Sequence, residues 1–159
     1  LFALSGTSED IITCSSNELI VYNSIGSSAI GIRSGKTLFL YTDTTAGIPE
    51  IVRHSASLGL RVEFASIENG FRNIKAGGKS ILISNHLSNR LLREANPDVV
   101  VLTGRFPEIE RSLKVAKPIS SFIVAPNVKE SNYLKRTINN QVACQVHFVK
   151  KSGAWKMKL

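Results

Sequence analysis

Three short apolar runs, each ending in a polar turn, constrain the fold of this chain more than any other feature. With their turns they occupy residues 38–43, 80–85 and 98–104, and the strand parts consist mainly of Leu, Ile, Val and Phe. Runs of this length bounded by turn residues are typical of strands buried within a sheet. Segments with helical spacing of apolar residues separate them, at residues 48–58 and 87–95. This alternation predicts an α/β fold with a mixed β-sheet and flanking helices.

Further strands are expected on both sides of these runs. Short β segments separated by turn residues predict an antiparallel meander at residues 18–22, 29–33 and 37–41. Gly77 and Gly78 indicate a hairpin, because tight two-residue turns need residues that accept positive φ. The remaining strands are predicted at residues 61–67, 119–124, 144–149 and 154–157, the last two as a closing hairpin.

Two additional helices complete the predicted order. One is expected at residues 107–115, with Pro107 in its first turn, and one at residues 128–140, capped by Asn127. The length suits a single core. We therefore expect one α/β domain over residues 18–159, preceded by a leader or edge segment over residues 1–17.

The chain carries a large surplus of positive charge. Its 20 Lys and Arg residues against 12 Asp and Glu give a net charge of +8. Such a surplus attracts polyanions, with nucleic acid and anionic lipid headgroups as the obvious candidates. The basic residues are scattered, however, apart from a local cluster of Lys150, Lys151, Lys156 and Lys158. An ordinary solvated basic surface is therefore the alternative to a nucleic-acid site.

Three features of the sequence bear on the cellular setting. The longest apolar runs are far too short to cross a bilayer, so we expect the chain to be soluble. It begins at Leu1 with neither an initiator Met nor a visible signal peptide, which suggests a segment of a longer protein. Cys14 and Cys144 fit no metal or redox spacing, and a disulfide between them stays open if the compartment is oxidising.

The carboxyl ends of the three apolar runs are the first places to look for chemistry, because the loops of α/β sheets carry function there. They present Asp43, then Asn85 with His86, then Arg105 after Gly104. A catalytic zinc site needs three ligands of the His, Asp, Glu or Cys type, and these side chains supply too few. Asp43 suits a ligand or base role, and equally the turn role of accepting backbone N–H bonds. We predict no metal and no other cofactor, with Asp43 and His86 as the remaining catalytic candidates.

Basic residues beside predicted turns are candidates for contacts with nucleic acid. On this ground we select Arg105, Lys150, Lys151 and Lys156. Stacking on single-stranded nucleic acid needs exposed aromatic rings interleaved with cations. Phe106 beside Arg105, and Trp155 beside Lys156, have this arrangement in the sequence. Packing in the core is the alternative explanation for both aromatic residues.

Several short stretches, in their order and spacing, resemble one known family. They are an opening strand at residues 19–23, the strand at 97–102, a stretch at 122–127 before the last helix, and a closing strand at 152–155. On these motifs the chain resembles, over residues 18–159, the carboxy-terminal domain of ComEC-family competence proteins. The Bacteroidetes-type version of that domain is the most similar.

The resemblance implies a degenerate metallo-β-lactamase-like fold. In complete members of the family this domain is proposed to be a metal-dependent nuclease beside a membrane channel that imports single-stranded DNA. Asp43 matches the first strand-end Asp of the family, but nothing between Gly47 and Lys79 supplies the H-x-H-x-D-H segment. Asn85 stands in place of a bridging Asp, and residues 102–105 stand in place of H-H-G-S. These replacements remove the charge and lone pairs that a metal requires, which implies a domain without metal.

The resemblance also implies a function and a setting. We expect a non-catalytic, soluble domain of an inner-membrane competence protein involved in DNA uptake, on the periplasmic side. Its expected partners are single-stranded DNA, the membrane channel portion of the same polypeptide and other competence proteins. Two alternatives stay open: a metal-dependent nuclease that uses Asp43 and His86 with non-standard ligands, and a purely structural docking module.

Overall fold

The protein is represented by a computed structural model that describes residues 17–24, 27–43, 48–67 and 70–159, together with the backbone of residues 9–12. The strands are β1 Glu9–Ile12, β2 Asn17–Val21, β3 Ala29–Ser34, β4 Thr37–Thr42, β5 Arg61–Ser66, β6 Phe71–Ala76, β7 Lys79–Ser84, β8 His86–Leu87, β9 Val99–Leu102, β10 Glu108–Ile109, β11 Ser121–Val124, β12 Val146–Phe148 and β13 Trp155–Lys158. The helices are α1 Ile48–Ser57, α2 Asn89–Ala95, α3 Asn132–Gln141 and α4 Val149–Ser152.

One mixed sheet has six strands in the order β1-β6-β7-β9-β11-β12. The predicted hairpin at Gly77 and Gly78 is confirmed, because β6 and β7 pair antiparallel around it. From β7 onward the neighbours β9, β11 and β12 all pair in parallel. Because parallel strands end on the same side of a sheet, the loops after β7, β9, β11 and β12 meet along one edge. We call this edge of the six-stranded sheet the carboxyl edge.

The second sheet has five strands in the order β13-β2-β3-β4-β5. The predicted meander is confirmed, since β2, β3 and β4 pair antiparallel in sequence. Strand β5 then pairs in parallel with β4, and α1 makes the crossover between them. Parallel neighbours need a connection of this length, which explains why a helix follows Asp43 rather than another hairpin turn.

The two sheets pack against each other around a shared apolar core. Leu19, Ile30 and Tyr41 of the five-stranded sheet belong to the same buried cluster as Ile83 and Phe122 of the six-stranded sheet. Helix α1 covers the other face of the five-stranded sheet, where its Ile51 packs with a separate cluster. Helices α2 and α3 contribute buried apolar side chains to the main cluster. The α/β fold with mixed sheets and flanking helices is therefore confirmed.

The predicted helix at residues 107–115 is wrong. Residues Glu108–Ile109 instead form β10, a two-residue strand paired in parallel with β8. The backbone N–H of Glu108 donates to the carbonyl of Asn85 at 3.0 Å, and that of Glu110 donates to Leu87 at 2.9 Å. These long-range bonds satisfy the backbone groups that a helix would have used locally.

Two predictions near the carboxyl end are also corrected. Helix α3 begins after Ser131, whose hydroxyl accepts the N–H of Leu134 at 3.0 Å, so Asn127 is not its cap. The closing strands do not form a hairpin. Strand β12 lies in the six-stranded sheet, β13 lies in the five-stranded sheet, and α4 carries the chain from one to the other.

The amino-terminal region contributes one edge strand. Strand β1 pairs in parallel with β6, whereas residues 1–8 and 13–16, including Cys14, lie outside the described residues.

Burial raises the pKa of the half-buried Cys144 thiol, which therefore stays protonated at neutral pH. In the part of the chain that is described, no helix is long and apolar enough to cross a membrane.

Candidate functional site at the carboxyl edge

Asp43 connects the two sheets at the end of β4. Its Oδ1 accepts the backbone N–H of Ser28 at 3.0 Å, and its Oδ2 accepts the side-chain amide of Asn127 at 2.9 Å. Asn127 follows β11 of the six-stranded sheet, whereas Ser28 precedes β3 of the five-stranded sheet. The turn role predicts that the carboxylate accepts a backbone N–H bond, and it does. The donor, Ser28, lies in the connection between β2 and β3, however, and not in the turn that contains Asp43.

The carboxylate also fixes the orientation of Asn127. The amide nitrogen points at Asp43, while the buried Oδ1 of Asn127 has no hydrogen-bond partner among the described residues. The reverse orientation would press a carbonyl oxygen against a carboxylate oxygen. The bond between Asp43 and Asn127 is charge-assisted, which makes it stronger than a neutral hydrogen bond.

Asn85 fills a gap between two glycines after β7. Its backbone N–H donates to the carbonyl of Gly70 at 2.8 Å. A Cβ at Gly70 would overlap the Asn85 amide, and one at Gly104 would lie 2.9 Å from the Asn85 Cβ. Both glycines have positive φ, of +77° and +82° respectively. Glycine is therefore required twice over here, for conformation and for space.

His86 belongs to a different cluster from Asp43. Its ring stands edge-on to Phe71 with the ring centroids 5.8 Å apart, and its Nδ1 lies 3.1 Å from the Asn85 Oδ1. Among the described residues no hydrogen bond joins His86 to Asp43. The two catalytic candidates from the sequence thus have separate structural partners, Asn127 for the carboxylate and Phe71 for the imidazole.

Three of the four basic candidates lie at the carboxyl edge. Arg105 follows β9, and Lys150 and Lys151 lie on α4, which follows β12. The fourth, Lys156, lies on β13 of the other sheet, where its ammonium pairs with Glu18 at 2.8 Å. Lys129, which the sequence analysis did not select, follows β11 and so lies between the loops of Arg105 and Lys150. Neighbouring strands are only about 4.8 Å apart, so these cations crowd a narrow edge.

Two loops of the carboxyl edge are joined around an exposed aromatic ring. The Arg105 Cζ and the Lys129 Nζ each lie 5.5 Å from the centroid of the Phe106 ring. The backbone N–H of Lys129 donates to the carbonyl of Arg105 at 2.8 Å. The ring is 69% exposed, so core packing does not explain it. We call Arg105, Phe106 and Lys129 the Phe106 platform.

A partly buried carboxylate, that of Glu130, organises the neighbouring lysines. Glu130 pairs with Lys135 at 3.1 Å and with Lys151 at 3.3 Å. Desolvation by burial acts to raise the pKa of Glu130, but the hydrogen bonds and charges of Lys135 and Lys151 outweigh it and lower that pKa. The cluster holds α4 against the loop after β11 and leaves one net positive charge.

The lowered pKa of Glu130 leads to a prediction about the stability of the protein in acid. A carboxylate with a depressed folded pKa stabilises the fold above its unfolded pKa, and that contribution disappears as the pH falls through the folded pKa. We expect Glu130→Gln to destabilise the protein at pH 7 and to make little difference once Glu130 is protonated in both states. Urea unfolding of both proteins across acidic pH measures this convergence. The control is Glu94→Gln, which removes an exposed pair with Arg90; a difference for Glu130→Gln that does not change with pH would contradict the assignment.

The described geometry is that of a metallo-β-lactamase fold. The crystal structure of the metallo-β-lactamase fold protein YhfI from Bacillus subtilis superposes with a TM-score of 0.53 at 8% identity. The match covers 90% of this chain and 100% of that one. At such low identity the likeness establishes the fold alone.

The profile of the ComEC C-terminal domain matches residues 19–159, and the chain belongs to this family. Among curated proteins no match is found. The resemblance identified from the sequence is therefore confirmed. Membership associates the chain with competence and DNA uptake, and in this family the domain is part of an inner-membrane protein.

A metallo-β-lactamase fold raises the question of whether these residues fit a metal. Both carboxylate oxygens of Asp43 already accept hydrogen bonds, and the position beside Gly70 and Gly104 holds the neutral amide of Asn85. Within the described residues no three His, Cys, Asp or Glu side chains come together as a metal-binding group. This donor set does not fit a divalent cation, and we derive no chemical step through one.

Proposed function

We propose that this domain is a non-catalytic part of a DNA-uptake protein and that its carboxyl edge contacts DNA phosphates. The observation that carries the proposal is the convergence of Arg105, Lys129, Lys150 and Lys151 on adjacent loops of one edge. Among the described residues only Lys151 of these four pairs with a carboxylate, and it shares that carboxylate with Lys135. The edge therefore presents a positive field to an incoming polyanion.

Contacts of this kind position a nucleic acid without reading its sequence. Lys and Arg side chains that neutralise phosphates release bound counterions, so the affinity falls steeply as the salt concentration rises. We expect Lys156 to contribute less than the other candidates, because Glu18 already neutralises its ammonium at 2.8 Å. The binding that we propose is thus electrostatic and tolerant of sequence.

The proposal includes a setting for the domain. We propose that it lies on the periplasmic side of the inner membrane, beside the channel portion of the same polypeptide. There it would guide single-stranded DNA towards the channel and contact other competence proteins. The family match and the positive edge support this arrangement.

The test is the affinity for a single-stranded oligonucleotide at about 50 mM and about 200 mM salt. We expect binding at the lower concentration and a large loss at the higher one. The variant Arg105→Gln, Lys150→Gln, Lys151→Gln should bind more weakly, and its slope of log affinity against log salt should fall by about 2, since each phosphate contact contributes about 0.7.

A control variant separates position from total charge. Lys36→Gln, Arg53→Gln, Lys158→Gln removes the same number of charges from exposed sites outside the carboxyl edge. We expect it to keep most of the salt slope. An equal loss in both variants would contradict the proposed edge, and no binding at low salt would leave a docking module as the better assignment.

The metallo-β-lactamase fold favours one second candidate, a nuclease with non-standard ligands. That function predicts cleavage of DNA in the presence of Mn²⁺ or Zn²⁺. It also predicts that Asp43→Ala or His86→Ala abolishes the cleavage. We expect neither, because Asp43 and His86 have separate partners in this structure.

A further inference from the structure

The Phe106 platform has a composition that phosphate binding alone does not require. A phosphate contact needs a cation, whereas Phe106 adds an apolar ring that is 69% exposed to solvent. Exposing such a ring forfeits the free energy of burying it. The ring also contacts cations from two loops, because Arg105 follows β9 and Lys129 follows β11.

Other exposed aromatic side chains in the described part of the chain lack this arrangement. Phe64 is 60% exposed on β5, but it lines an apolar groove with Ile48 and Pro49. Tyr133 is 70% exposed at the start of α3. Neither ring has a cation over it among the described contacts, whereas Phe106 has two.

Both cations of the platform are available to a ligand. Among the described residues no carboxylate pairs with Arg105 or Lys129, and their contacts are with the Phe106 ring and between their backbones. Two backbone hydrogen bonds hold the two loops together, from the Lys129 N–H to the Arg105 carbonyl at 2.8 Å and from the Ala125 N–H to the Leu102 carbonyl at 2.9 Å. A ligand therefore meets an exposed aromatic ring together with the guanidinium and the ammonium that contact it.

We propose that Phe106 stacks on one unpaired base of single-stranded DNA, while Arg105 and Lys129 contact the phosphates next to that base. The inference rests on the proposed function and specifies its ligand. Every base has a π-face, so stacking on a phenyl ring tolerates any sequence. Bases in a duplex are already stacked on one another, so the platform discriminates single strands from double strands.

The test compares three oligonucleotides of one length: a single strand, the corresponding duplex, and a single strand with abasic residues. Phe106→Ala should weaken binding of the single strand by about 5- to 150-fold, the range expected for one lost base stack. It should leave binding of the duplex and of the abasic strand nearly unchanged. Phe106→Trp should keep the affinity of the parent protein. When Trp155→Phe is also present, the fluorescence of the introduced tryptophan should be quenched by the single strand with intact bases and not by the duplex or the abasic strand.

Two matched variants separate stacking from charge and from surface apolarity. Lys129→Gln should weaken the binding of all three oligonucleotides to the same extent, because it removes a phosphate contact. Phe64→Ala removes another exposed phenyl ring, 60% exposed against 69% for Phe106, and should leave every affinity unchanged. Because Phe106 is exposed, its variants should unfold at the same urea concentration as the parent protein, which excludes a folding defect.

The outcomes distinguish this inference from the proposed function. Salt-sensitive binding of DNA that is the same for the parent and for Phe106→Ala would overturn the stacking site and leave the cationic edge intact. Absence of DNA binding altogether would overturn both. Binding to vesicles of anionic phospholipid that depends on Phe106, without any effect of Phe106 on DNA, would assign the platform to a membrane surface instead.

Discussion

Replacement of Phe122 by alanine is expected to lower the free energy of unfolding by about 3–5 kcal/mol. The ring is 1% exposed on β11, between β9 and β12, where its removal leaves a cavity that the sheet cannot close. Natural domains are stable by about 5–15 kcal/mol, so much of the stability is lost in one step. The change in the midpoint of urea unfolding measures the effect.

Phe64 supplies the comparison, because it is the same residue type on a strand of the other sheet. Its side chain is 60% exposed, so we expect Phe64→Ala to change the stability by no more than about 0.5 kcal/mol. Similar losses for the two alanine variants would contradict the burial described for β11.

The second large effect concerns the glycines around Asn85. Gly70→Ala should cost about 1–2 kcal/mol for its positive φ, and about 1–3 kcal/mol more because the new Cβ overlaps the Asn85 amide. Gly78 has nearly the same φ, +76° against +77°, but its Cβ would meet no atom within 4 Å. Gly78→Ala should therefore show the conformational cost alone, and urea unfolding of the two variants gives the difference.

A double-mutant cycle identifies the cause of that difference. Asn85→Ala shortens the side chain that the new methyl group would strike, so the excess cost of Gly70→Ala should largely disappear in its presence. If Gly70→Ala and Gly78→Ala cost the same, or if Asn85→Ala fails to relieve the excess, then Asn85 does not occupy the space between the strand ends as described.

The parts of the fold with a strong local pattern were predictable from the sequence. Strands β3, β4 and β9 are short apolar runs between turns, and helix α1 has Pro in its first turn and an apolar stripe. The helix expected at residues 107–115 had similar local signals. It failed because partners distant in sequence, Asn85 and Leu87, bond to its backbone instead. Tertiary contacts of this kind leave no local trace.

The candidate site was likewise predictable only where a local sequence pattern marks it. The rule that chemistry lies at strand ends directed attention to Asp43, Asn85 and Arg105, and these residues do follow β4, β7 and β9. It gave no means of finding that Asn127, 84 positions from Asp43, is its hydrogen-bond partner. Lys129 was missed for the same reason, since only the parallel pairing of β9 and β11 brings it to Phe106.

The pairing of β13 with β2 has a consequence for biogenesis. Residues 155–158 pair antiparallel with residues 18–21, so β13, the last described strand, covers β2 and forms one edge of the five-stranded sheet. During synthesis, the edge at β2 stays open until residues 155–158 have emerged from the ribosome. Contacts between such distant segments slow folding. While the segment between β2 and β13 is being synthesised, the chain therefore carries an open sheet edge at β2, and we expect chaperones that shield nascent strands to bind it.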